Sequence, residues 1–237
     1  FGGDIQTWYD ALSVAVDAIH AEDFNHPVAT AHGEVPEVEL LAAIPNIDLW
    51  GLNVYRWDVS YTAAMDFAKR SDKPMYFSEI GADSYMSTSL LGYAQGPNER
   101  AQADATRALL APLFSDSVRC AGAAIFSFTD GWWKAGRADV QDAGGVAPES
   151  SGVPYDSDAN EEHWGLVDIH RQPKAAFDVV KSFFNANNSS SMKEGKLQKA
   201  VYESSRQGGR FHQVPESAVD LRNAPHPEEI RLHVHTD

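Results

Sequence analysis

Lys73-Pro74-Met75-Tyr76-Phe77-Ser78-Glu79-Ile80-Gly81-Ala82-Asp83-Ser84-Tyr85 is a short apolar run that ends on a carboxylate and a glycine turn. A strand carrying an acid out of a packed core into a loop has this form, and the placement alone makes Glu79 a candidate nucleophile. The segments on either side repeat the pattern. Ile47-Asp48-Leu49-Trp50-Gly51-Leu52-Asn53-Val54-Tyr55 reads as a strand apolar enough to be buried on both faces, as in a parallel sheet. Val28-Ala29-Thr30-Ala31 is a short strand opening at His32-Gly33-Glu34. Ala123-Ala124-Ile125-Phe126-Ser127-Phe128 is a fourth, ending at Thr129-Asp130-Gly131-Trp132-Trp133.

Helical spacing fills the intervals. Trp8, Leu12, Ala15, Val16 and Ile19 predict an amphipathic helix over about residues 5–21, stopped by Asn25-His26-Pro27. Residues 36–43 make a brief helix; Tyr61, Met65 and Ala68 mark another that ends near Arg70-Ser71-Asp72. An Ala-rich helix is expected over about 98–111, after a Ser, Gly and Tyr-rich loop at 82–97. Pro173 suits the first position of a last helix with Phe177, Val180 and Phe184 on its inner face. Four strands, each followed by a helix and each with polar residues at its C-terminal end, form the repeating unit of a (β/α)8 TIM-type barrel. A complete barrel takes roughly 250 residues, whereas these four units occupy about 184. The expected architecture is therefore the C-terminal half of a barrel over residues 1–184, about strands five to eight. Residues 185–237, opening on Asn187-Asn188-Ser189-Ser190-Ser191, read as a linker and an irregular tail. The start at Phe1 without methionine reads as a fragment or a processed product.

Composition narrows the chemistry. The net charge of −15 argues against nucleic acid or an anionic membrane as partner. A single cysteine, Cys120, excludes an internal disulfide and a cysteine-built zinc site. No apolar run approaches the roughly 20 residues of a membrane span, and no signal peptide is visible, which leaves localisation open. Asp156-x-Asp158-x-Asn160 imitates the start of a calcium loop, but Glu161 stands where its glycine belongs and Val167 where its terminal acid belongs. His212, His226, His233 and His235 are too irregular for a metal site. No metal and no organic cofactor is expected.

Taken together, Asn25-His26-Pro27-Val28, Leu49-Trp50-Gly51-Leu52-Asn53-Val54-Tyr55, Pro74-Met75-Tyr76-Phe77-Ser78-Glu79-Ile80-Gly81 and Phe126-Ser127-Phe128-Thr129-Asp130 look familiar in that order and spacing. With Glu162-His163-Trp164-Gly165-Leu166-Val167-Asp168 and Arg171-Gln172-Pro173-Lys174, they resemble the C-terminal half of a clan A retaining glycoside hydrolase, closest to glycoside hydrolase family 2. The chain is also similar to fungal β-1,3-glucanosyltransferases. The resemblance implies that Glu79 is the nucleophile and that Tyr55 hydrogen-bonds and orients it. It further implies that a tryptophan after strand eight, Trp132 or alternatively Trp133, floors a sugar subsite. In that family the acid/base is the glutamate of an Asn-Glu pair ending strand four. Asn98-Glu99 follows strand seven and Asn160-Glu161 lies in the polar loop, so the pair is expected upstream of Phe1.

Other residues at strand ends are candidates for substrate contact. Asp130 reads as an acceptor for a sugar hydroxyl or as a turn-forming Asp before Gly131. Asn53, Trp57 and Asp83 are further subsite candidates, and His32-Gly33-Glu34 lines the cleft or a solvated loop. The expected activity is hydrolysis or transglycosylation of β-glycosides, with an oligo- or polysaccharide as partner. The alternative is a non-catalytic carbohydrate-binding or structural half-barrel. A half-barrel exposes two sheet edges, which predicts self-association or pairing with an N-terminal half.

Overall fold

The computed structural model describes residues 4–115, 117–144 and 158–188. The expected tail lies outside them, except that residues 185–188 continue the last helix. Helix α1 (Ile5–Glu22) starts on Asp4, whose carboxylate accepts from the Gln6 amide at 3.1 Å. Strand β1 (Ala29–Gly33), helix α2 (Val38–Ala43), strand β2 (Leu49–Val54), helix α3 (Thr62–Arg70) and strand β3 (Met75–Ile80) follow. A two-stranded antiparallel ribbon, β4 (Tyr85–Met86) and β5 (Gly96–Pro97), precedes helix α4 (Glu99–Phe114). Strand β6 (Ala123–Ile125) and helix α5 (Ala175–Asn188) complete the order.

The four longer strands form one parallel sheet in the order β1-β2-β3-β6. Each parallel crossover runs through a helix, as parallel pairing requires. The fold is α/β. Trp50, Leu52 and Val54 of β2 and Met75, Phe77 and Ile80 of β3 are buried in the main core, with Val16 of α1, Leu40 of α2, Phe67 of α3 and Leu109 of α4. Each such large apolar side chain contributes roughly 1.5–3 kcal/mol on burial. A second cluster joins Leu110 of α4 to Ala176 and Val180 of α5. Among the described residues no helix is long and apolar enough to cross a membrane.

The observed helix faces differ from the expected ones in three places. In α3 the buried residues are Ala63, Ala64 and Phe67, while Met65 is exposed. In α1 Ile19 is exposed and Val16 carries the contact. Pro173 precedes α5, where it bridges to Val167, so the helix begins two residues later. Ala176, Val179 and Val180 then turn inward and Phe184 outward.

The other face of the sheet carries Gly51, Asn53, Tyr76 and Glu79, and along β1 the residues Ala29, Ala31 and Gly33 are exposed. Gly51 is needed there. A Cβ would run into the Thr30 carbonyl oxygen of the neighbouring strand and lie 2.9 Å from the Tyr76 ring. Gly81 serves the same purpose two residues after Glu79, where a Cβ would meet the Phe126 carbonyl oxygen. It lets the ends of β3 and β6 close together, with the Phe126 amide donating to the Ile80 oxygen at 2.9 Å.

Candidate active site

A β-bulge decides where Glu79 points. Leu52 of β2 pairs with Phe77, but the next residue, Asn53, pairs with Glu79, so Ser78 is the extra residue. Simple alternation would send Glu79 to the side of Met75 and Phe77, under the helices. The bulge gives that side to Ile80 and turns Glu79 to the other face. Ser78 Oγ donates to Asn53 Oδ1 at 2.6 Å, pinning the bulge to the neighbouring strand.

Tyr55, the first residue beyond β2, donates its hydroxyl to Glu79 Oε2 in a short hydrogen bond. Its ring stands edge-on to Trp164 at 4.9 Å and to Phe126 at 5.9 Å between centroids. These rings bury the phenol, and burial followed by the Glu79 carboxylate pushes its pKa well above the ordinary 10.0. At neutral pH Tyr55 is therefore protonated and a donor.

The rim is charged. Arg56 forks onto Glu34 at the end of β1, Nη2 to Oε2 at 2.5 Å and Nε to Oε1 at 3.2 Å. Glu34 takes a left-handed backbone, φ 63°, and its amide donates to the Asn53 oxygen at 2.9 Å. Beyond β6, Lys134 lies over the Phe126 ring with Nζ 4.4 Å from the centroid, and it pairs with Glu161 at 3.3 Å. The loop that carries Lys134 is fixed by Glu162, which is fully buried. Its carboxylate accepts from the backbone amides of Lys134 at 2.8 Å, Ala135 at 2.9 Å and Asp142 at 2.7 Å. Trp132 and Trp133 on the same loop are 42% and 55% exposed, their rings 6.0 Å apart and nearly perpendicular.

Of the residues expected to meet substrate, Asn53 lies beside Glu79 in the strand register. Trp57, Asp83 and Asp130 are buried instead. Trp57 adopts φ 54°, which folds its ring into a side cluster with Ala82, Met86 and Ala101. Asp83 caps its own turn, accepting from the Tyr85 amide at 2.7 Å. Asp130 accepts from Lys174 Nζ and from the Gly165 amide, both at 2.7 Å, and from Gln141 Nε2 at 3.1 Å. His32 is half-buried against Trp50 and Glu34 is taken by Arg56. Asn160 is used structurally, donating to the Tyr85 oxygen of β4 at 3.1 Å and accepting from the Gly144 amide at 2.7 Å; Asp156 and the four tail histidines lie outside the described residues. Among the described residues no group of side chains is arranged to hold a metal ion. Cys120 donates to the Gly122 oxygen at 3.0 Å, and burial pushes its thiol up to about 11.

No protein-family model matches the sequence, and no curated protein matches it. Solved structures do. The chain superposes on a GH2 β-galacturonidase from Eisenbergiella tayi bound to galacturonate with a TM-score of 0.52 and 20% identity, over 75% of this chain and 30% of that one. The fold is one found in clan A glycoside hydrolases. An active-site mutant of a Rhizomucor miehei β-1,3-glucanosyltransferase in complex with laminaritriose gives a TM-score of 0.49 at 14% identity, over 70% of this chain and 56% of that one. The chain thus spans about half or less of each of these two proteins.

His163 offers a first test of the loop's packing. Its ring lies against Tyr85 at 4.9 Å, and Nε2 has no hydrogen-bond partner among the described residues. Burial, with Asp130 opposing, lowers its pKa below the ordinary 6.5. The unfolded chain then takes up the proton before the folded one does. Stability from this group is present above pH 6.5 and is lost as pH falls through the lower folded value. Urea midpoints at pH 7.5 and 5.5 should fall less in His163→Gln than in the parent; an unchanged difference would refute the assignment.

Proposed function

We propose that this chain carries the nucleophile half of a retaining β-glycosidase or transglycosylase site, with the expected half-barrel of residues 1–184, extended to 188 by the last helix, as the C-terminal half of a (β/α)8 barrel. The observation that carries the reading is the Tyr55 hydroxyl on the Glu79 carboxylate at the C-terminal ends of adjacent parallel strands. That end is where barrel enzymes place their chemistry. Tyr55 holds Oε2, which leaves Oε1 to attack the anomeric carbon. The C1–O bond to the leaving group breaks as the Oε1–C1 bond forms, and water or a second sugar hydroxyl later displaces Glu79. The leaving oxygen needs a proton from a carboxylic acid roughly 5 Å from the nucleophile, which we assign to the other half of the barrel. Asn53 beside Glu79 and the exposed Trp132 ring are the proposed contacts to an oligo- or polysaccharide. The open sheet face supports pairing with a second half-barrel.

The test uses a 2-fluoro glycoside with a dinitrophenolate leaving group, which departs without protonation and so needs no acid/base. Intact mass should rise by one fluoro-sugar, and peptide mapping should place it on Glu79. A label on another carboxylate sinks the assignment. The exposed Trp132–Trp133 pair favours a second reading, carbohydrate binding without turnover. Saturable sugar binding with no label at all would select it.

A further inference from the structure

Two basic side chains border the Glu79 end of the sheet, and each is already matched by acid. Arg56 is forked onto Glu34, with Asp66 at 3.6 Å behind it. Lys134 is paired with Glu161, the two side chains 30% and 33% exposed. Lys134 Nζ stands over Phe126, Phe126 meets the edge of Tyr55, and Tyr55 holds Glu79. The ammonium is thus two aromatic rings from the reacting carboxylate. Glu161 is also close enough for its charge to help keep the Tyr55 phenol protonated.

We propose that Glu161 is a specificity-determining residue of the Glu79 site, neutralising Lys134 so that the site takes an uncharged sugar and rejects sugar acids. This rests on the glycosidase reading. A sugar carboxylate entering here would meet Glu79 and Glu161 while the cation beside them is already engaged, and like charges at short range are unfavourable. An uncharged sugar fits the same pair well. One hydroxyl accepts from the Lys134 ammonium and its neighbour donates to Glu161, so both charges keep a partner. The chain's net charge of −15 adds a long-range field of the same sign. The galacturonidase with which the chain shares its fold was solved bound to a sugar acid; the charges at this site disfavour one.

The full-length chain should be titrated calorimetrically with 1-deoxynojirimycin and its galacto epimer, each alongside the counterpart carrying a carboxylate at C6. The ring amine is common to both members of each pair, so the comparison isolates the carboxylate. The carboxylate-free, or neutral, member of the better pair should bind at least about tenfold more tightly than its acid. Glu161→Gln frees Lys134, and the neutral-to-acid ratio should fall by about tenfold. Adding Lys134→Met should cancel that gain. Circular dichroism verifies the fold of each variant; should Glu161→Gln not fold, Lys134→Met alone should widen the neutral preference. Tighter binding of the acid, or a ratio that Glu161→Gln does not move, overturns the assignment. Binding of none of the four ligands overturns the glycosidase reading, and this specificity with it.

Discussion

Replacing Lys174 by Met should destabilise the fold by about 3–5 kcal/mol, the range for stripping one partner from a buried ion pair. Lys174 and Asp130 are 5% and 4% exposed. Lys174 Nζ donates to Asp130 Oδ1 at 2.7 Å, Ser84 Oγ at 2.8 Å and the His163 oxygen at 3.1 Å. One ammonium thus ties the loop after β3, the loop after β6, the returning segment and the start of α5. Burial pulls the Lys174 pKa below its ordinary value of 10.5 and Asp130 opposes the shift, as expected for a charge kept inside by its partner. Methionine has similar length but leaves Asp130, among the described residues, with the Gly165 amide and Gln141 as donors. The cost then comes mostly from the carboxylate left behind. Lys174→Met/Asp130→Asn should therefore recover at least half of the loss in urea unfolding. A single variant within about 1 kcal/mol of the parent would show the pair to be dispensable.

That network also marks where reading along the chain stops. Asp130-Gly131 looks like a turn, and its partner Lys174 lies 44 positions away in sequence, where Pro173-Lys174 looks like a helix start. No local pattern links them. Lys134, Glu161 and Glu162 were hidden the same way, inside a long polar loop without period. The burial of Trp57 was not legible because a left-handed backbone at a bulky residue is invisible to spacing rules. Glu79 and Tyr55 were legible because each ends an apolar strand of a repeating unit, so topology brings them to one end of one sheet. Even the bulge has a trace. Met75, Phe77 and Ile80 are apolar, and the two polar residues between the last two break the alternation at Ser78-Glu79. The helix faces were partly missed for a different reason. Met65 and Phe184 are apolar enough to be core, but the sheet is short and the helices bury only a narrow stripe against it.

Glu79→Gln should slow labelling by the activated 2-fluoro glycoside by on the order of 10⁴-fold or more, the scale of losing a catalytic nucleophile. The substitution is isosteric, and the amide oxygen still accepts from the Tyr55 hydroxyl, so the bulge at Ser78 and the rings around Tyr55 keep their places. Only the chemistry changes. A carboxamide oxygen is far less nucleophilic than a carboxylate and forms no stable ester with the sugar. Because the leaving group needs no proton, the assay isolates Glu79 from whatever acid completes the site. It also separates Glu79 from Glu161 on the rim. Glu161 is held by the Lys134 ammonium, whereas Glu79 receives the Tyr55 hydroxyl, so Glu161→Gln should leave a label that still maps to Glu79. If Glu79→Gln labels as fast as the parent, the Tyr55–Glu79 pair is structural. The exposed tryptophans would then be the better guide to what this chain does.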